Sequence, residues 1–395
     1  MNDLAGLIKY EIQTQGPITF ARFMEMALYH PELGYYSSPA ADIGRSGDYY
    51  TAPSVSPLFG TMLARQFAEM WRKQGCPSPW ALVEYGPGTG ALARDVLNAS
   101  RQRYPDFYEA LTYYLVEISP GLRERQRREL CSQLQDATKF RWVDGAAKAV
   151  DSGAIAGCIF ANELVDALPV HLVQRSASGL MELYVNYNSR EFCLVEGPPS
   201  TAELENYFVM QHVELAVGQK AEVNLLAGKW LSEIADSLGK GYVMIIDYGA
   251  TAAELYASHR FKGTLRCFHK HRLIENPFVN IGQQDITAHV NFTALAMWGA
   301  RLGLQELGLV SQPQFLLNLG ILDELQGHDN FTHDATWHKK TAAFKQLVLP
   351  GGMGDIFKVL LMYKGFPVPP ELTGLKYKAG LAAPQIIALR GGEEK

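Results

Sequence analysis

The stretch Val83-Glu84-Tyr85-Gly86-Pro87-Gly88-Thr89-Gly90-Ala91 decides how the rest of the chain is read. An apolar run ending in a carboxylate passes into a glycine-rich turn and then into a segment of helical periodicity. Glycines at such a turn let the backbone fold back sharply and admit a ligand where a Cβ would otherwise stand. Taken alone, the spacing also meets the looser G-x-G-x-x-G/A pattern of dinucleotide sites, with Ala91 in last place. Three features favour S-adenosylmethionine instead: the acid Glu84 before the first glycine, the third glycine Gly90, and the distance to the next acid at a strand end. That acid is Glu117 in Val116-Glu117-Ile118-Ser119, 27 positions beyond Gly90 (117 minus 90), against about 20 for the usual NAD arrangement. A carboxylate there can accept two hydrogen bonds from a ribose diol.

Working outward, residues 81–85, 112–117, 140–143, 157–161 and 242–247 read as strands. Between them lie amphipathic helices over 91–103, 120–134 and 223–238, the rhythm of an α/β fold with a parallel sheet and crossover helices. Asp144 follows the third of these strands and Asn162-Glu163 the fourth. Ligands of open α/β sheets sit outside the carboxyl ends of strands, so Glu84, Gly86, Gly88, Gly90, Glu117, Ile118, Asp144 and Asn162 form the expected cofactor set. Residues 172–195 alternate as antiparallel strands do and read as an insertion of about 170–225. Upstream, 4–12, 20–29 and 58–71 carry helical stripes. The aromatic loop 35–57 between the last two, containing Tyr49, Tyr50 and Thr51, is expected to fold over the cofactor, with Thr51 touching it. The predicted organisation is a helical and loop cap over 1–78, the main domain over 79–365, and a tail over 366–395 after a last strand at 357–363.

Composition narrows the class. The 395 residues correspond to two or three units of roughly 150, or to one large domain with insertions. Thirty-six Lys and Arg stand against 41 Asp and Glu, a formal net charge of −5, so there is no overall positive field to attract a nucleic acid. No apolar run reaches the ~18–20 residues of a bilayer span. The start Met1-Asn2-Asp3-Leu4 has neither the basic-then-apolar plan of a secretion signal nor a transit peptide's bias, which predicts a cytoplasmic, bacterial protein. Cys76, Cys131, Cys158, Cys193 and Cys267 are odd in number and never in C-x-x-C spacing, which predicts reduced thiols and no zinc knuckle. His269 and His271, and likewise His328, His333 and His338, lack the spacing of a zinc site, so no metal is expected.

Glu84 to Gly90, joined to Ala161-Asn162-Glu163-Leu164-Val165-Asp166-Ala167-Leu168-Pro169-Val170, resembles the MidA family. So do Tyr29-His30-Pro31, Gly47-Asp48-Tyr49, Asp247-Tyr248-Gly249, Gly263-Thr264-Leu265-Arg266 with His271, Asp285-Ile286-Thr287-Ala288-His289-Val290 and Gly354-Asp355-Ile356-Phe357. The likeness runs from about residue 16 to 364. It implies a Rossmann-like, seven-stranded class I methyltransferase dependent on S-adenosyl-L-methionine, with an N-terminal helical cap and an inserted subdomain. For the mitochondrial member, an assembly factor of respiratory complex I, it implies symmetric dimethylation of an arginine in a complex I subunit. Leu164-Val165, where two aromatics are common, and Asn291, where Asp is common, depart from the pattern.

An arginine acceptor would need carboxylates to grip its fork and take the departing proton, because a guanidinium at neutral pH has no lone pair to spare. Glu163 and Asp166, three apart beyond a strand end, are the candidates, although Asp166 could instead cap the turn before Pro169. Asp285 and His289 could form a carboxylate-imidazole pair, or a helix cap beside an ordinary polar histidine. Arg123, Arg125, Arg127 and Arg128, interleaved with Glu124 and Glu129, read as a solvated helix face. The alternative function is a methyltransferase-fold assembly factor that binds a partner protein through the insertion without chemistry.

Overall fold

A computed structural model describes residues 3–37, 56–134, 136–150, 153–270, 272–326, 335–349 and 356–376. Thr51, the aromatic loop around it, His271, His328, His333 and Gly354-Asp355 lie outside these residues.

The central sheet contains β1 (Trp80–Tyr85), β2 (Leu111–Val116), β3 (Phe140–Val143), β4 (Ile155–Asn162), β5 (Leu238–Ala250), β6 (Gln305–Ser311) and β7 (Phe357–Lys364). Their order across the sheet is β6-β7-β5-β4-β1-β2-β3, and a short strand, Val290–Asn291, adds to β5. β1 to β5 pair in parallel, whereas β7 runs antiparallel to both β5 and β6. Every residue of β1 is buried, as expected of a central parallel strand covered on both faces. The seven-stranded methyltransferase sheet implied by the resemblance is therefore present. β6 was not anticipated: it is an edge strand with polar ends and a glycine, which blunts its pattern.

Helices α1 (Leu4–Gln15), α2 (Phe20–Tyr29), α3 (Pro57–Lys73), α4 (Ala91–Arg103), α5 (Pro120–Gln133), α6 (Leu225–Ser237) and α7 (Phe292–Arg301) complete the frame. Ser56 caps α3 by accepting the Leu58 N–H at 3.2 Å, with Pro57 in the first helical position, where its missing N–H costs nothing. One face of the sheet packs on α3 and α4 through Phe67, Val96, Tyr113 and Phe160. The other packs on α6 and α7 through Leu231, Ile234, Phe292 and Leu295.

The expected cap over 1–78 divides between two cores. α3 belongs to the central sheet, while Leu4, Ile8, Phe20 and Phe23 of α1 and α2 pack on Leu172, Leu183 and Val185 of the insertion. Residues Ile18–Thr19 pair antiparallel with Val185 and Tyr184, so the N-terminal segment extends the insertion's sheet of His171–Ser176, Gly179–Tyr187, Phe192–Gly197 and Lys220–Val223. An unanticipated ribbon of Arg266–His269, Arg272–Ile274 and Asp285–Thr287 joins the same core through Cys267 and Ile286. The start of the expected tail is also built in: Leu372 and Leu375 are buried, and the Gly374 N–H donates to Gln66 Oε1 at 3.1 Å.

Candidate active site

From β1 the chain steps outward through β2 and β3, then returns to place β4 on the other side of β1. The crevice at the carboxyl ends of β1 and β4 is the switch point where such sheets bind ligands. A cleft of about 320 Å³ opens there. Its lining includes Glu84, Gly86, Gly88, Glu117, Ile118, Asp144, Asn162 and Glu163 from the expected set.

Gly86, Gly88 and Gly90 have φ of 64°, 52° and 84°, in the left-handed region that excludes most side chains. A Cβ on Gly86 would stand 2.9 Å from Leu164 Cδ1. Gly90 itself precedes α4 and does not line the cleft; its part is to let the turn enter the helix. Glu84 is buried and accepts the Tyr113 hydroxyl at 2.7 Å; burial lifts its carboxyl to about 8, against the pull of that hydrogen bond. Glu117 accepts the Ser119 N–H at 2.9 Å on one oxygen and Gln126 Nε2 at 3.0 Å on the other. Burial raises its carboxyl too, opposed by those bonds. A carboxylate has about four acceptor positions, so Glu117 keeps room for a diol. Asp144, largely exposed, is held by Arg123 Nη2 at 2.6 Å.

The residues present fit S-adenosylmethionine. The turn lines the cleft with the backbone of Gly86 and Gly88 in left-handed conformation, and Glu117 offers acceptors for the ribose. Ile118, 72% exposed, presents the apolar surface an adenine ring would cover, and Asn162 Oδ1 is buried without a partner among the described residues.

Two residues here escaped the sequence reading. Gln126 is fully buried and donates through Nε2 to the Gly88 carbonyl at 2.8 Å as well as to Glu117, while its Oε1 accepts the Trp142 indole N–H at 2.8 Å. Arg123 donates to the Glu117 carbonyl at 2.6 Å and to Asp144. Of the face read as solvated, Arg123 thus braces the cleft, while Arg127 and Arg128 are exposed as expected. The overlooked signal is the buried stripe Leu122, Gln126, Leu130 at helical spacing.

Across the crevice, the ends of β4 and β5 carry acids. Glu163 is half-buried with φ +55°, a strained conformation for a side chain of its size, and Asn162 Nδ2 donates to its Oε1 at 3.2 Å. Asp166 does not reach the cleft lining. It is buried behind Glu163, with one oxygen unpartnered among the described residues and the Tyr248 hydroxyl against its carboxyl. Asp247, deeper still, accepts the N–H groups of Val165 at 2.9 Å, Asp166 at 3.3 Å and Tyr248 at 2.8 Å. Burial, with Glu163 nearby, lifts Asp247 to about 8; burial and Asp247 push Asp166 up strongly. In the sequence Asp247 stood only as part of the family likeness and carried no role, because it closes an apolar run.

Asp285 and His289 are not hydrogen-bonded to each other. Asp285 lies in the strand Asp285–Thr287 and His289 in the link before Val290–Asn291, so the two do not share a helical turn. Asp285 accepts the Tyr36 hydroxyl at 2.8 Å and the Ile286 N–H at 3.0 Å, whereas the His289 ring stands edge-on to Tyr248. Burial and two arginines hold His289 down at about 4, so it is neutral at physiological pH. Asn291 caps α7 through the Ala294 N–H at 3.1 Å and donates to Tyr207 and Gln211, a structural post that needs an amide donor.

A family model described as S-adenosyl-L-methionine-dependent methyltransferase matches residues 62–310. A crystal structure of a Burkholderia thailandensis protein bound to S-adenosyl-homocysteine superimposes with a TM-score of 0.86 at 34% identity, covering 95% of each chain. The mitochondrial protein arginine methyltransferase NDUFAF7 of Mus musculus is 30% identical, over 89% of this chain and 82% of its own. That of Homo sapiens is 28% identical over 89% and 81%. These curated relatives are named as mitochondrial, which overturns the cytoplasmic expectation: the composition of the first residues carried no information about compartment.

Proposed function

The chain belongs to the S-adenosyl-L-methionine-dependent methyltransferase family, and from that premise we propose that it methylates the ω-nitrogen of an arginine in a protein, giving the symmetric dimethyl product. The support is a half-buried carboxylate, Glu163, at the end of β4 on the wall of the cleft, together with relatives named as protein arginine methyltransferases. A subunit of respiratory complex I is the first acceptor to test, because the resembling mitochondrial member assembles that complex.

The bound cofactor supplies a methyl group on a sulfonium. Gly86 and Gly88 would hold it close to backbone, Glu117 would take the ribose hydroxyls, Ile118 and Asp144 would border the adenine, and Asn162 would supply a polar contact. Glu163 grips the guanidinium fork and localises its charge. As the nitrogen gains the methyl carbon it loses one proton, and Glu163 accepts it. Asp166 and Asp247 act through Glu163: burial pushes both toward their neutral forms, which lessens the like charge behind it, while Asp247 fixes the turn from 163 to 166. His289 is a positioning residue, holding the Tyr248 ring whose hydroxyl meets Asp166.

The test is incubation of the purified chain with methyl-labelled S-adenosylmethionine and isolated complex I subunits, followed by acid hydrolysis and separation of methylated amino acids. Label in symmetric dimethylarginine supports the reading. Label in another amino acid, or none in protein, overturns it.

A further inference from the structure

A second cavity, of about 440 Å³, lies between the insertion's sheet and the ribbon, and among the described residues it shares no lining residue with the methyl-transfer cleft. Its floor is Leu172, Leu183 and Leu194, which strand register places on one face of three neighbouring strands. Its rim carries Lys220, Lys262 and Arg266, all exposed. Lys220 and Lys262 stand opposite each other in a bridge, so two like charges face one another at a cost. Among the described residues none of the three cations is in an ion pair. The nearby carboxylate Glu222 is occupied by the N–H groups of Thr264 and Leu265 and the Thr264 hydroxyl, which leaves Glu275 as the other acid on the lining.

The strand Arg272–Ile274 borders this cavity and is an outer strand of its three-stranded ribbon, paired on one side only among the described residues. Leu273 on it is 55% exposed. An apolar residue on an unpaired strand edge is a template for an added strand, whose alternate side chains can enter a neighbouring pocket. An acyl chain would use the leucine floor but leave that edge unpaired; a peptide uses both.

We infer that this groove docks an acidic, leucine-bearing peptide segment of the protein acceptor, pairing along Arg272–Ile274, with its leucines on the floor and its carboxylates on Lys220, Lys262 and Arg266. The inference rests on the reading of the acceptor as a protein, but docking is measured without turnover. The full chain is titrated by fluorescence anisotropy with a labelled octapeptide of alternating leucine and glutamate, with the leucine-lysine counterpart, and with oleate as competitor. Expected is micromolar binding of the acidic peptide alone, weakened at least tenfold by Lys220→Glu with Lys262→Glu and, separately, by Leu273→Asp. S-adenosyl-homocysteine affinity, unchanged in these variants, certifies that they are folded. Equal binding of the basic peptide, binding indifferent to the substitutions, displacement by oleate at lower concentration than by unlabelled peptide, or no binding would each overturn the inference. Acidic-peptide binding in a chain that leaves arginine unlabelled would refute the proposed acceptor chemistry while leaving the docking site standing.

Discussion

On the side of β1, β2 and β3 the cleft is built from residues 84–144, and its polar groups find partners within that span: Glu84 with Tyr113, Glu117 with Ser119 and Gln126, Asp144 with Arg123. On the side of β4 and β5, the wall gathers Glu163, Asp166, Asp247, Tyr248 and Asp285 from distant parts of the chain, and burial together with neighbouring carboxylates pushes Asp166 and Asp247 up. A satisfied wall holds one shape and suits a ligand bound in the same way at every turnover. A wall of strained and protonatable acids suits a cationic group that arrives from outside.

The largest effect is expected on the satisfied wall. Gly88→Val places a β-branched side chain at φ 52° in the glycine turn. Calorimetric titration should show S-adenosyl-homocysteine affinity reduced by about a hundredfold or more, as the left-handed backbone conformation on the cleft wall is lost. Gln126→Leu removes the tie between the Gly88 carbonyl, Glu117 and Trp142. Stranding buried partners costs about 1–3 kcal/mol each, so cofactor affinity should fall about tenfold and the melting temperature should drop.

Two smaller effects are read in pH. Glu84, lifted to about 8 by burial, must ionise to favour a cationic ligand. S-adenosylmethionine affinity should therefore rise from pH 6 to pH 8 and then level, by up to ~10-fold per unit, and Glu84→Gln should flatten the profile. Asp247 rises from 3.8 to about 8 on folding, so the native state holds a proton that the unfolded chain releases. Its contribution to stability is fully present below the unfolded value and is lost as pH climbs through about 8. Melting temperature should accordingly fall less steeply between pH 5 and 8 in Asp247→Asn than in the parent. A parallel slope would mean that Asp247 is ionised in the fold.

The two walls also differ in how far they could be read in advance. Gly86 to Gly90 with Glu84, Glu117 and Asp144 was legible because a strand, a tight turn and a helix are local events with local signatures. The brace behind them was half hidden: four arginines on α5 drew attention to its charge, while Gln126 between Leu122 and Leu130 carried the burial. Glu163 and Asp166 were legible as a pair by spacing, but their separation was not, since which acid faces the cleft depends on the φ of Glu163 and on Asp247, far away in sequence. Asp285 and His289 misled for the same reason, because spacing of four implies contact only on a helix. The docking of α1 and α2 on the insertion, rather than with α3, rests on contacts between residues 4–28 and 172–286 that no window of sequence contains.

The measurement that bears most directly on this division is a paired one on Glu163→Gln: S-adenosyl-homocysteine affinity by calorimetry, and transfer of labelled methyl groups to protein arginine. The division predicts affinity within about twofold of the parent and turnover reduced by about 10²-fold or more, as expected when a group acting in proton transfer is removed. Turnover retained at the parental rate, or affinity lost together with turnover, would contradict it.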